Sequence, residues 1–194
     1  MVRQMGERFR WLSASPCTCY DPTTNDDRER SCGKCERGQL YTDKGEQRGL
    51  VASLKRSVLH PDVGWVQQGE LTLTTMPDEV LFGQWDKVVL LDREALARER
   101  VRRGGDTLPH PNPVRVLAVR DQDATYLQGR DFTFAPATGE ITWLTEGPTG
   151  LYSVEYLYHP TYWHIGLDVR PPRPSGCDLQ TPQRGLLSLA PPAQ

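Results

Sequence analysis

Leu151-Tyr152-Ser153-Val154-Glu155-Tyr156-Leu157-Tyr158 is the stretch that decides the fold. Tyr152, Val154, Tyr156 and Tyr158 fall at every second position, with Ser153 and Glu155 between them. Side chains of an extended chain alternate between two faces, so this spacing describes a long strand with one aromatic face. An aromatic stripe at period two is packing surface before it is a ligand platform, because such rings carry most of the buried area of a small core.

The same texture extends outward from this strand. Phe132 and Phe134 share one face of an earlier strand, Ala135-Pro136-Ala137-Thr138-Gly139 turns, and Ile141 and Trp143 share a face of the next. Gly147-Pro148-Thr149-Gly150 turns again, which predicts a three-strand antiparallel meander. Val114 to Val119 precedes it as a further strand. Leu50 to His60, Glu70 to Met76 and Lys87 to Leu91 read as short strands punctuated by Pro61, Gly64, Gly69 and Pro77. Asp92 to Arg103 fits a helix capped by Asp92 or an exposed hairpin, and Pro109-His110-Pro111-Asn112-Pro113 is an extended linker. The fold class expected is mainly β: an antiparallel sandwich or small barrel with a small N-terminal zinc-binding module and extended terminal arms.

Four of the five cysteines lie within nineteen positions, as Cys17-Thr18-Cys19 and Cys32-Gly33-Lys34-Cys35. Two close pairs on one loop are the arrangement that supplies four thiolates to a tetrahedral structural zinc. Gly33 gives the second pair freedom to turn, and Cys17 and Cys19, if extended, face the same side. Two disulfides or four unrelated thiols are the alternatives. Met1-Val2-Arg3-Gln4-Met5-Gly6 leads into charge rather than an apolar run, so folding in a reducing cytosol is expected, which favours the metal. Cys177 stands apart as a lone structural thiol.

Four segments follow from these readings. Residues 1–15 are an N-terminal arm docking Phe9, Trp11 and Leu12, and residues 16–48 the four-cysteine module, whose Glu36 to Tyr41 stretch returns like the strand of a zinc ribbon. Residues 49–170 form the mainly-β domain. Residues 171–194 are a Pro-rich C-terminal arm, disordered or laid along a neighbour. Charge is nearly balanced, 23 basic against 25 acidic residues, so nothing attracts nucleic acid or anionic lipid globally. The local cluster of Arg98, Arg100, Arg102 and Arg103 is diluted by Glu94 and Glu99. No uninterrupted apolar run approaches the roughly 18 residues that span a bilayer, so no membrane association is expected.

Paired carboxylates, an activated nucleophile and a phosphate loop are not legible at usable spacing, so no catalytic or cofactor-binding residues are assigned and an enzyme is not expected. His159 and His164, near Asp168, are five residues apart, which on a strand puts them on opposite faces and far from a shared metal. The metal ligands expected are Cys17, Cys19, Cys32 and Cys35. A nucleic-acid-binding or transcription-associated zinc ribbon is the alternative reading, resting on the cysteines and the arginine cluster.

Four phrases resemble a known class. Tyr126-Leu127-Gln128-Gly129-Arg130-Asp131-Phe132, Gly139-Glu140-Ile141-Thr142-Trp143, Pro148 to Tyr156, and His159-Pro160-Thr161-Tyr162-Trp163 are similar to strand meanders in the neck, or head-tail connector (head-completion), proteins of tailed bacteriophages. Many of those also carry a cysteine cluster near the N-terminus. The resemblance implies a non-enzymatic virion protein at the head-tail junction. It also implies a homo-oligomeric ring between portal or adaptor and tail proteins, close to packaged DNA and assembled in the host cytoplasm.

Overall fold

The computed structural model describes residues 6–21, 26–27, 32–53, 58–60, 64–66, 71–75, 82–167 and 183–190. Among them every regular element is a strand, and no helix is long and apolar enough to cross a membrane. In chain order the strands are β1 (Glu7–Pro16), β2 (Tyr20–Asp21), β3 (Asp26–Asp27), β4 (Gln39–Ser53), β5 (Val58–His60), β6 (Gly64–Val66), β7 (Leu71–Thr75) and β8 (Lys87–Leu90). They continue as β9 (Ala95–Arg102), β10 (Pro113–Arg120), β11 (Thr125–Tyr126), β12 (Phe132–Ala135), β13 (Glu140–Trp143), β14 (Leu151–Tyr158), β15 (Thr161–Leu167) and β16 (Gln183–Leu189).

The chain forms two compact units, one of residues Met1–Val89 with Tyr162–Leu189, the other of Leu90–Thr161 with Ala190–Gln194. The first is a closed barrel in the order β1-β4-β7-β16-β15-β8. Closure removes the unpaired edges that an open sheet would expose. Phe9, Leu73, Val88 and Leu187 are fully buried, with Leu71, Ile165 and Leu186 nearly so. β1 and β4 form a long antiparallel hairpin from Glu7 opposite Gly49 to Pro16 opposite Gln39, with an irregularity between Arg10 and Leu12. That irregularity sets Trp11 out of register. Its indole Nε1 donates to Asp86 Oδ2 at 2.7 Å, while its ring meets Phe82 edge-on.

Two expected arms are barrel strands. Residues 7–16 are β1, with Phe9 buried and Arg8 and Arg10 exposed on either side of it. Arg8 and Arg10 form the outer face of an alternating strand. At the other end Gln183–Leu189 is β16, paired with β7 from Gln183↔Thr75 to Leu187↔Leu71 and with β15 from Tyr162↔Leu189 to Leu167↔Gly185. Leu186 and Leu187, expected to lie along a neighbour, are buried in the chain's own barrel, while Leu189 is exposed. Residues 171–182, Cys177 and Asp168 lie outside the described residues.

The second unit is two-layered. One layer is the antiparallel sheet β11-β10-β14-β9; the other is the β12-β13 hairpin. Tyr152, Val154, Tyr156 and Tyr158 are buried, as the period-two pattern requires, and pack with Val101, Val119, Phe132 and Ile141. The expected three-strand meander does not form, because β14 pairs with β9 and β10 and not with β13. Packing explains the difference. The apolar side of the hairpin is needed against the aromatic face, where Trp143 meets Tyr152 edge-on at 5.3 Å. Residues 92–103, open between helix and hairpin, contain the strand β9, matched to β14 from Arg102↔Leu151 to Ala95↔Tyr158.

Asp106 ties this core to its loops. Its carboxylate accepts from Tyr152 Oη at 2.7 Å, Trp143 Nε1 at 3.0 Å, the Gly104 amide and Arg103, both at 2.9 Å. Burial opposes its charge, but these four donors together hold the carboxyl below its ordinary range.

Candidate metal centre

The cysteines sit at the tip of the β1-β4 hairpin. Pro16 ends β1, and the next amide, Cys17 N–H, donates to Gly38 O at 2.7 Å, closing the end of the ladder. Glu36 and Gln39 exchange two backbone hydrogen bonds of 3.0 Å around Arg37 and Gly38, whose φ angles are 51° and 75°. Positive φ at both central residues defines a type I′ turn, whose twist suits a hairpin. Gly38 adopts it without strain. Arg37 does not, and is held there by its guanidinium lying over the Trp163 ring at 5.0 Å.

This turn brings both cysteine pairs together. One sulfur from each of Cys17, Cys19, Cys32 and Cys35 lies within 4.8 Å of all the others, and all four thiols are free. Four ligands at about 2.3 Å in a tetrahedron stand about 3.8 Å apart, so the arrangement fits a four-thiolate metal ion with small adjustments. Cys19 and Cys35 are closest, at 3.3 Å. Cys17 is buried and the other three half-buried, so bulk water has limited access.

Backbone amides aim at the sulfurs. The Cys19 N–H donates to Cys17, which with the neighbouring thiols brings the Cys17 thiol down to about 7. The Gly38 N–H reaches Cys35. Cys19 is pushed up because its proton is shared with Cys35 and because it is desolvated. Cys17 to Cys19 is a turn and not extended, and the amide-to-sulfur bond is the reason: only a turned chain directs the Cys19 N–H back to Cys17.

Side chains that no spacing argument singled out attach the tip to the barrel rim. Lys87 pairs with Glu36 and lies over the Tyr41 ring at 4.2 Å. Burial pushes the Tyr41 hydroxyl up to about 12, with the Glu36 charge adding to it. Trp85, at φ 71°, meets Trp163 edge-on at 6.3 Å. The one legible signal was Gly38, three residues beyond Cys35.

The histidines serve the fold. His164 is buried, its Nδ1 within 2.7 Å of Gly83 O and its ring stacked on Phe82 at 5.2 Å. His159 Nδ1 lies 2.9 Å from Arg93 O. What the site defines is a hairpin tip with four cysteines placed so that they could hold a metal ion. No family model matches the chain, and no curated protein matches it in sequence.

Proposed function

We propose that the chain is a non-enzymatic structural protein of a tailed-phage virion, forming a ring at the head-tail junction that joins portal to tail, with one structural zinc on the four cysteines. The observation that carries the reading is the contrast between a committed interior and an apolar exterior. Asp86, Asp106 and Asp131 each accept three or four hydrogen bonds from donors of the fold, so these carboxylates, the first and last buried and Asp106 half-buried, are spent on structure. Outward, Leu96, Leu127, Leu144, Leu151, Leu189 and Trp85 are each 36–58% exposed. Large apolar side chains left in water are what a subunit offers to neighbouring chains. Residues 126–163, which carry the resemblance to connector proteins, include the hairpin and long strand that build the second unit's core.

Zinc suits the donor set, because four thiolates select zinc or iron and leave no open position for catalysis. Elemental analysis of protein made with ample zinc is expected to find one zinc per chain and none in Cys35→Ser. For assembly, light scattering on the protein alone and mixed with portal is expected to show a ring-sized complex. A strict monomer that ignores both portal and tail proteins overturns the connector reading.

A further inference from the structure

Strand geometry changes the meaning of the arginine cluster. In the sequence Glu94 and Glu99 lie among the arginines, but on β9 alternate residues part company. Arg98, Arg100 and Arg102 are exposed on one face; Glu99 turns to the other, where its carboxylate lies 3.7 Å from His110 Nε2. Pairing sets Arg102 opposite Leu151, Arg100 opposite Ser153 and Arg98 opposite Glu155. On the far side of β14, strand β10 adds Arg120 opposite Ser153 and Arg115 opposite Leu157.

One open sheet face therefore carries five arginines. Its carboxylates are Glu155, 3.3 Å from Arg98 and 3.9 Å from Arg120, and Glu94, 3.9 Å from Arg115. Five against two leaves a surplus of three positive charges. In the turn beyond Arg120, Asp121 is spent on the Asp123 and Ala124 amides and the Tyr126 hydroxyl, and Asp123 is exposed. A shallow open groove of about 540 Å³ runs along the face, lined by Arg98, Arg100, Arg120, Ser153 and Glu155, with Glu99 and Val154 between them also reaching its wall.

We propose that this face binds the phosphate backbone of double-stranded nucleic acid without reading its sequence. The positive residues are all arginines, whose planar fork meets phosphate oxygens two at a time. Strand rise and strand spacing set them about 6.6 Å apart along β9 and, with β14 between, about 9.6 Å apart from β9 to β10, a pattern of like charge that needs a partner of continuous negative charge. A duplex supplies that along its whole length. A single strand would need rings to stack its bases, and the aromatic side of this sheet is the buried one. Leu96 and Leu151 border the arginines as exposed apolar groups, which an acidic protein would use as well; the experiment separates the two partners. The proposal stands apart from the zinc, and its variants leave the four cysteines untouched.

The test is fluorescence anisotropy of the zinc-loaded full-length protein with a labelled mixed-sequence duplex, between about 50 and 200 mM salt. Neutralising three phosphates predicts that log K falls against log salt with a slope of about −2.7. The double variant Arg100→Ser/Arg102→Ser, both exposed, is expected to bind at least tenfold more weakly at low salt, with a slope shallower by about 2. Lys34→Ser, on the metal hairpin, is expected to bind like the wild type. Absence of binding at low salt overturns the proposal, and so does a double variant that binds unchanged. A polyglutamate peptide that binds more tightly than the duplex gives the face to an acidic protein and overturns it equally.

Discussion

At the scale of single residues, one buried carboxylate joins three parts of the barrel unit. Asp86 is 1% exposed and accepts from Trp11 Nε1, from the Ala14 amide at 2.7 Å and from the Gly83 amide at 2.9 Å. Removing it strands donors on β1 and in the loop before β8. Asp86→Ala is expected to lower stability by on the order of 3 kcal/mol in urea titration, since each unsatisfied buried group costs about 1–3 kcal/mol. Nothing near Gln84-Trp85-Asp86 in the sequence signals this role, because the two partners on β1 lie 72 and 75 positions away. His164 gives a pH dependence. Burial holds its pKa below the ordinary histidine value, although the Gly83 carbonyl and the Asp86 charge pull upward. The unfolded chain, with a histidine pKa of about 6.5, therefore binds more protons than the folded one just below that pH. Stability conferred by the neutral ring is present above pH of about 6.5 and is lost as pH falls from there toward the folded value. Urea midpoints measured across that window are expected to fall less steeply for His164→Gln than for the wild type. Equal slopes would place the acid sensitivity elsewhere, with His110, whose pKa burial also lowers, the next group to examine.

At the scale of elements, the β1-β4 hairpin shows what the sequence could and could not carry. Its tip was legible, since thiol spacing is a local property and the metal it suits is decided by four residues. Its first strand was not, because Phe9 is the only fully buried side chain among ten residues and the pattern of one large apolar between arginines is weak. The aromatic face of β14 was legible for the opposite reason: four large side chains at strict alternation leave no other period. Which strands flank β14 was hidden, because pairing with β9 joins residues 49 to 63 positions apart and leaves no local mark. The hairpin also predicts how metal loss spreads. The ladder is held at the tip by Cys17 N–H to Gly38 O and by the Arg37-Gly38 turn, while its far end is clamped inside the barrel. Chelation is expected to speed hydrogen exchange of the amides of Cys17, Cys35 and Gln39 strongly, and to leave those of Phe9 and Gln47 slow. Uniform acceleration along β1 and β4 would mean that the metal holds the barrel itself.

At the scale of the whole molecule, the chain closes one barrel from two distant segments. Unit two is inserted between β8 and β15, and its two ends are adjacent, with Leu90 N–H donating to Pro160 O at 3.1 Å. Adjacent ends are the usual condition for an insertion that folds on its own, so residues 90–161 expressed alone are expected to show the near-ultraviolet circular dichroism of packed tyrosines and tryptophans. The barrel cannot be divided in that way. β16 lies between β7 and β15, so a chain ending at Pro182 loses a central strand, leaves two neighbours with unpaired edges, and loses Leu186 and Leu187 from the interior. Each fully buried leucine contributes about 1.5–3 kcal/mol. Two of them plus the ladder bonds approach the total of about 5–15 kcal/mol that holds a domain of this size. The truncated chain is therefore expected to aggregate or to lose the barrel's cooperative urea transition, while the tyrosine and tryptophan signal of residues 90–161 persists. A segment that served only to reach a neighbour would give the other result: an unchanged transition in the monomer, with only assembly impaired. Measuring both signals on the same truncated protein decides between a strand and an arm.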